Sequence, residues 1–242
     1  YYKFVPSAIF EILGKKSIKE IKLGDNRTVP LEVLRMQINN FEEKTRQMDA
    51  GKLFGFLNRV YQLSVPVIME KDGVVDSYFN GGLSAIYTKV GKNALDSAIS
   101  ICQKLNEEKK AGRVPEFADI ELAFAISIGS QMVGIVGHDR RLSEVTLSEQ
   151  ISMVDYLRKV AGKYKARILV TGTAVGRIPN FDSRYHARIL GMIHVSATDS
   201  LEKIYDVYDG DDEALREIKE YTKQNFEDGV KHFMAKRFYE AR

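Results

Sequence analysis

The residues able to do chemistry in this chain are few and scattered. His138, His186, His194 and His232 show no metal-ligand spacing with one another or with an acid, so they read as surface or capping groups. Cys102 is the single cysteine, which excludes an intramolecular disulfide and leaves no thiolate cluster for zinc. Placed beside Ile101 in a helical pattern, it reads as a buried, inert thiol. His138-Asp139-Arg140-Arg141 has the residue types to meet a phosphate, but a solvated turn between strands is the better account of it. The most structured candidate is the stretch 73–90. There Asn80-Gly81-Gly82 separates two β-type runs, 74–79 and 83–88, in the chemistry of a tight hairpin. Such a hairpin can present a turn side chain from the middle of a sheet. Two glycines leave this one with almost nothing to present.

The surrounding elements follow from periodicity. Residues 6–13 fit a short helix stopped at Gly14. Residues 18–23 alternate apolar and charged and predict an edge strand. Residues 29–38 predict the first central strand, restricted near its start by Pro30. Residues 41–48 form a short polar helix. A longer helix carries Leu53, Phe56, Leu57, Val60 and Tyr61 on one face, and Pro66 should kink or restart it. After the hairpin, Leu95, Ala98, Ile99, Cys102 and Leu105 mark a helix ended by Gly112. Residues 120–128 alternate strongly, and Gly129-Ser130 should turn that strand into 132–136 as a second hairpin. With no helix start after it, the turn flanked by Gly129 and Gly134 is no phosphate cradle. A short strand at 145–147, a helix capped by Ser148, a strand at 167–170, a short helix at 171–175 and an antiparallel pair (184–195 and 201–207) complete the core. Residues 211–242 predict a charged helical tail with Leu215, Ile218, Phe226, Val230 and Phe233 as its apolar seam. The expected fold class is α+β, a mostly antiparallel sheet with helices packed on it.

Bulk properties narrow the function classes. The 242 residues suffice for a full core, and 44% hydrophobic with 29% charged residues is an ordinary globular balance. A net charge of +3 is too small on this length to mark a nucleic-acid footprint. No run of about 18 apolar residues is present to span a bilayer, and no signal peptide is seen. The chain opens Tyr1-Tyr2-Lys3 without Met, so it is expected to be part of something longer, with room for a membrane segment in the remainder.

From Phe4-Val5-Pro6 through Lys22-Leu23-Gly24-Asp25, and on to about Asp209, the order and spacing of segments resemble the class III adenylate/guanylate cyclase homology domain of bacterial type. The resemblance implies a ferredoxin-like βαββαβ core with added strands, head-to-tail dimers and active sites at the dimer interface. It divides the chain into a lead-in (1–26), the cyclase homology domain (27–209) and a C-terminal helical extension (210–242). In the family, two carboxylates hold two divalent ions while a 3′-hydroxyl attacks its own α-phosphorus. One Asp lies in an Asp-Ile-x-Gly-Phe pattern, which reads here Gln37-Ile38-Asn39-Asn40-Phe41, so the first metal position holds Gln37. The second Asp follows Gly in the hairpin turn, and the aligned pair Asn80-Gly81 gives it to Gly81.

The remaining family positions are also changed. Ser152 and Tyr156 stand where a partner subunit's Asn and Arg would orient ribose and stabilise the transferring phosphate. Tyr has neither fixed charge nor a bidentate fork. The base-selecting positions hold Ser77 and Val145, and the phosphate-binding position holds Ser196. Glu32, Glu42 and Asp76 are the neighbouring acids that an unusual metal site would have to recruit.

The resemblance therefore implies a pseudo-cyclase: a dimerisation or regulatory module of a signalling protein, without cyclase activity. No cofactor is expected, and Mg²⁺ or Mn²⁺ enters only under the alternative of an active cyclase with a non-standard metal site. A second alternative is small-molecule binding in the remodelled cleft. The expected partners are a second copy or a related cyclase domain, with an upstream sensor or membrane region and no nucleic acid. The expected location is cytoplasmic, or the cytoplasmic part of a membrane-bound protein. Phe226 to Phe233, with Phe238 and Ala241, also suits the first helix of a tetratricopeptide-type repeat or a tail packed on its own domain.

Overall fold

The computed structural model describes residues 7–138, 141–147, 162, 164–195 and 199–241. Its centre is β1 (Asn26–Ile38), which pairs with β3 (Gly82–Tyr87) on one side and β4 (Leu122–His138) on the other. β2 (Val74–Phe79) flanks β3, and β5 (Arg141–Leu147) folds back on β4. β6 (Ile168–Thr171), β8 (Ser200–Val207) and β7 (Ala187–Val195) extend the sheet in the order β2-β3-β1-β4-β6-β8-β7. Of the described ladders only β4–β6 is parallel, so the α+β expectation of a mostly antiparallel sheet is met.

One face of the sheet carries the main core. The helices α3 (Ala50–Glu70) and α4 (Asn93–Ala111) lie there, with Phe56, Val60, Leu95, Ala98 and Leu105 buried against Leu34, Met36, Ile38, Phe124 and Ile126. Cys102 is fully buried in this layer, and burial pushes its thiol up to about 11, consistent with an inert thiol. The second face is covered in two patches. The short helix α1 (Ser7–Ile12) sets Ile9 and Ile12 on Leu31, Val33, Ile86 and Val133. The last helix covers Leu169, Leu190 and Ile204 at the far end. The remaining short helices are α2 (Phe41–Thr45), α5 (Gly172–Val175) and α6 (Phe181–Arg184), and the last helix is α7 (Glu213–Met234).

Four local expectations are corrected. Residues 18–23 do not form an edge strand. Ile18–Glu20 is a 3-10 turn, closed by the Glu20 N–H on the Ser17 carbonyl and by the Lys16 N–H on the Glu20 carboxylate. α3 runs through Pro66 unbroken, its packing against β2, β3 and α4 outweighing one missing donor. β4 is a single 17-residue strand with no turn at Gly129-Ser130, because β1 pairs with it continuously from Asn26↔Gly134 to Ile38↔Leu122. Pro30, which has no N–H to give, sits opposite Ser130 within that ladder.

The fourth correction concerns the tail helix. The expected seam of α7 is met in part: Leu215, Phe226 and Val230 are half-buried, but Ile218 and Phe233 are about 60% exposed, and the residue fully buried in the helix is Lys219. Its ammonium donates to Asp206 Oδ2 at 3.0 Å, Asp211 Oδ2 at 2.6 Å and the Lys165 carbonyl at 2.9 Å. Arg188 Nε donates to Asp206 Oδ2 at 3.0 Å, and the Arg188 guanidinium lies 4.3 Å from the Phe226 ring centre. Burial raises Asp206 and Asp211 above the usual carboxylate range, against the pull of Lys219 and Arg188. The helix is capped at Asp212, whose Oδ1 accepts from the Leu215 N–H at 3.0 Å.

Candidate functional site

Among the described residues, no helix packs on the sheet face opposite the main core between the two covered patches, at the end of β1. Strand alternation puts Arg35 and Gln37 on this face and Leu34, Met36 and Ile38 on the other. Registered neighbours share a face, which gives two rows. One row runs Phe79, Gly82, Gln37, Ala123, and the next runs Ser77, Ser84, Arg35, Ala125. Gly82, Ala123, Ser84 and Ala125 are small and buried, and the Phe79 ring lies over Gly82, where an added Cβ would fall 2.5 Å from it. Beside these rows is an open cleft of about 1000 Å³ lined by Arg35, Gln37, Asn39, Phe79, Asn80 and Glu121 together with the start of α2.

The hairpin end of the cleft is closed by packing. The Ile38 N–H donates to the Gly81 carbonyl at 2.8 Å and the Tyr61 hydroxyl donates to the Gly82 carbonyl at 3.1 Å, tying the turn to β1 and α3. Gly81 has φ +76°, in the left-handed region that glycine adopts without cost. A Cβ added there would lie 2.4 Å from Phe41 Cγ and under 3 Å from both Cδ atoms. At Gly82 it would lie 2.3 Å from the Met36 carbonyl oxygen. The Phe41 ring thus fills the space in which a side chain at the turn would begin. The arrangement pairs a neutral amide with a turn that has no side chain, which does not fit a two-cation site. Among the described residues no group of three or more His, Cys, Asp or Glu is placed to hold a metal ion.

The acids considered as substitutes are dispersed. Glu32 is fully buried on the main-core face, opposite Tyr87 and Ile128, and five residues from Gln37 along the strand (roughly 16 Å). Its Oε2 accepts from the Gly91 N–H at 3.3 Å, and burial pushes its carboxyl up to about 8. It cannot reach the cleft. Asp76 lies at the β2 irregularity between Val75 and Ser77, outside the cleft lining. Glu42 lines the cleft, with Glu43, Glu121 and Arg46, all exposed at its rim.

The other positions assigned by resemblance divide in two. Ser77 is exposed on the cleft face, two residues before Phe79. Val145 pairs with Gly134, eleven residues along β4 from the Ala123 that faces Gln37, roughly 36 Å away. This one chain therefore does not bring Val145 to Gln37 and Gly81. Ser152, Tyr156 and Ser196 lie outside the described residues. His138 ends β4; His186 and His194 bond Asp209 and Asp199 on the surface, each at 2.8 Å. Sequence reasoning missed Arg35. Its spacing of two from Gln37 on a strand was the signal that could have placed it on the same face.

No protein-family model matches the chain. The terminal-differentiation-specific adenylate cyclase of Dictyostelium discoideum is 23% identical over 222 residues, covering 90% of this chain and 10% of that protein. Adenylate cyclase 1 of Rhizobium meliloti is 22% identical over 176 residues, covering 68% of this chain and 26% of that protein. The chain thus spans between a tenth and about a quarter of these relatives. Among solved structures, a bacterial light-regulated adenylyl cyclase superposes with a TM-score of 0.73 at 14% identity, over 91% of this chain and 64% of that one. The adenylyl cyclase CyaB from P. aeruginosa gives 0.57 at 17% identity, over 75% of this chain and 95% of that one. Sheet order, hairpin and helix placement together with these likenesses lead to one conclusion: the chain has the fold of a class III adenylate/guanylate cyclase homology domain.

Proposed function

We propose that this domain is a cyclase-like signalling module that does not cyclise nucleotides and acts as a dimerising or regulatory domain. The observation that carries this reading is the turn at Gly81, where the Phe41 ring occupies the place of a ligand side chain while Gln37 offers only an amide. Without carboxylates at these two positions, the ions that would hold the triphosphate have no anionic protein ligand there. Glu32 is on the wrong face, which removes one of the acids that an active enzyme with an unusual metal site would need. Ser152 and Tyr156 in place of Asn and Arg argue in the same direction from sequence.

In this reading residues 27–209 form the cyclase-like unit, and the lead-in and α7 are additions to it. Two observations support that division. The adenylyl cyclase CyaB covers 75% of this chain, and α7 is anchored by its own ionic network. The proposed partner is a second copy or a related cyclase domain, and the proposed setting is the cytoplasmic part of a larger signalling protein. One matched structure is described as a non-canonical dimeric guanylyl cyclase domain, which supports pairing in some form. No described helix is long and apolar enough to cross a membrane.

The test is product formation by the purified domain from Mn²⁺–ATP and Mn²⁺–GTP, alone and mixed with an active cyclase domain. The expected yield of cyclic nucleotide in the first arm is that of a mock preparation, with no gain over the active partner alone in the second. Turnover that disappears in Glu42→Gln would establish the active-cyclase alternative instead.

A further inference from the structure

Asn80-Gly81 is the one Asn-Gly pair in the chain; the other asparagines precede Arg, Asn, Phe, Ala or Glu. The pair is the two-residue turn between Phe79 and Gly82, and Asn80 is exposed where it lines the cleft. Asparagine is a chemically labile residue. The reaction open to it is attack by the next residue's backbone nitrogen on its own side-chain carbonyl carbon. A Cβ on that next residue hinders the attack, and glycine has none. Here the fold demands the glycine. Gly81 has φ +76°, and an added Cβ would lie 2.4 Å from Phe41 Cγ. The packing that keeps a side chain out of the turn therefore also keeps Asn80 unshielded from its neighbour.

Hydrogen bonding leaves both reacting groups available. The turn is tied down through carbonyls, Gly81 accepting from the Ile38 N–H and Gly82 from the Tyr61 hydroxyl. Neither bond uses the Gly81 nitrogen. Among the described residues, none pairs with that N–H or with the Asn80 side-chain amide. Asn40 is an internal contrast. It is also exposed and lines the same cleft, but the residue after it is Phe41, with a Cβ and a buried ring.

We propose that Asn80 is a self-modification site, which deamidates through a cyclic imide and so places a carboxylate at the turn of the cleft. Solvent hydroxide takes the Gly81 N–H proton. The Gly81 nitrogen bonds to Asn80 Cγ, the Cγ–Nδ2 bond breaks, and ammonia leaves with a proton from water. A water molecule then opens the imide on one side of its nitrogen. Opening at Cγ gives aspartate. Opening at the main-chain carbonyl gives isoaspartate, with the backbone routed through the former side chain. Either way one amide becomes one acid, and the net charge of +3 falls by one. The new charge stands beside Gly81 and joins Glu42, Glu43 and Glu121 around the cleft. The reaction needs only water and base, so it is independent of whether the cleft binds a nucleotide.

The experiment is incubation of the purified domain at physiological pH and temperature, sampled over weeks by peptide mapping with mass spectrometry. Fragment ions should place the amide-to-acid mass change at position 80, at least tenfold faster than at Asn39 or Asn40. An isoaspartate methyltransferase should label the same position, and the rate should rise with pH as hydroxide does. Asn80→Gln should remove the early acidic species from ion-exchange profiles, because its longer side chain forms the imide far more slowly. Asn80 intact at the end of the series, earlier conversion at Asn39 or Asn40, aspartate without isoaspartate, or an unchanged profile in Asn80→Gln would overturn the proposal.

Discussion

Two regions on the same face of one sheet treat charge in opposite ways. At the far end, under α7, four charged groups are sealed from water: Arg188, Asp206, Asp211 and Lys219. At the open end, at the close of β1, the cleft floor presents an amide, a glycine turn and one arginine. The first set of charges joins the last helix to the sheet. The second region is the cleft at which the resemblance places the family's metal acids, and Gln37 and Gly81 stand at those positions. Burying a carboxylate costs free energy unless a partner offsets it, so acids persist inside a protein where something depends on them. The comparison teaches that in this domain the scaffold depends on charge and the cleft does not.

The largest expected effect breaks the sealed network. Lys219→Ala leaves Asp206 and Asp211 buried without their shared cation and should cost about 3–5 kcal/mol, read by urea denaturation. A loss under about 1 kcal/mol would mean that the network is not what holds α7. Glu32 supplies a second charged contrast, with the sign set by its pKa. Its carboxyl lies at about 8 in the fold against an ordinary 4.5, so the folded state holds the proton more tightly. That contribution is full below about pH 4.5, declines as pH rises and is gone above about pH 8. Glu32→Gln should therefore gain stability relative to the parent between pH 5 and 8, by on the order of 3 kcal/mol, in paired melts across that range.

Smaller effects sharpen the account of the cleft. Gly81→Asp puts a Cβ into the Phe41 ring and should destabilise by about 2–3 kcal/mol. With Phe41→Ala added, the two losses should fall short of their sum by about 1 kcal/mol or more, because the collision is shared. Strict additivity in that denaturation cycle would show that the ring does not occupy the turn. The smallest effect belongs to the cap of α7: Asp212→Ala should cost about 1 kcal/mol by thermal melting.

Much of the fold was legible because its signals were local. The Asn80-Gly81-Gly82 turn, the stripe of α4 from Leu95 to Leu105 and the strand through Ile38 all follow from spacing alone. What failed depended on distant partners. Gly129-Ser130 has turn chemistry, yet β1 lies alongside and keeps β4 extended. Lys219 reads as a solvated helix position until Asp206, thirteen residues away, is brought beneath it. Pro66 was overridden by packing in the same way, whereas the 18–23 stretch was closed by a local contact between Lys16 and Glu20. In the cleft, the assignment of metal positions to Gln37 and Gly81 is what the family resemblance implies. The Phe41 ring over Gly81 and the Arg35–Phe79 stack needed coordinates, since no sequence spacing places one ring over a turn forty residues on.

The central claim, that this cleft holds no divalent metal, is tested most directly by electron paramagnetic resonance of Mn²⁺ titrated into the purified domain with ATP present. The account predicts the spectrum of Mn²⁺–ATP in buffer, unchanged by an equimolar amount of protein. A stoichiometric loss of that signal, abolished by replacing Gln37 or Glu42, would contradict it.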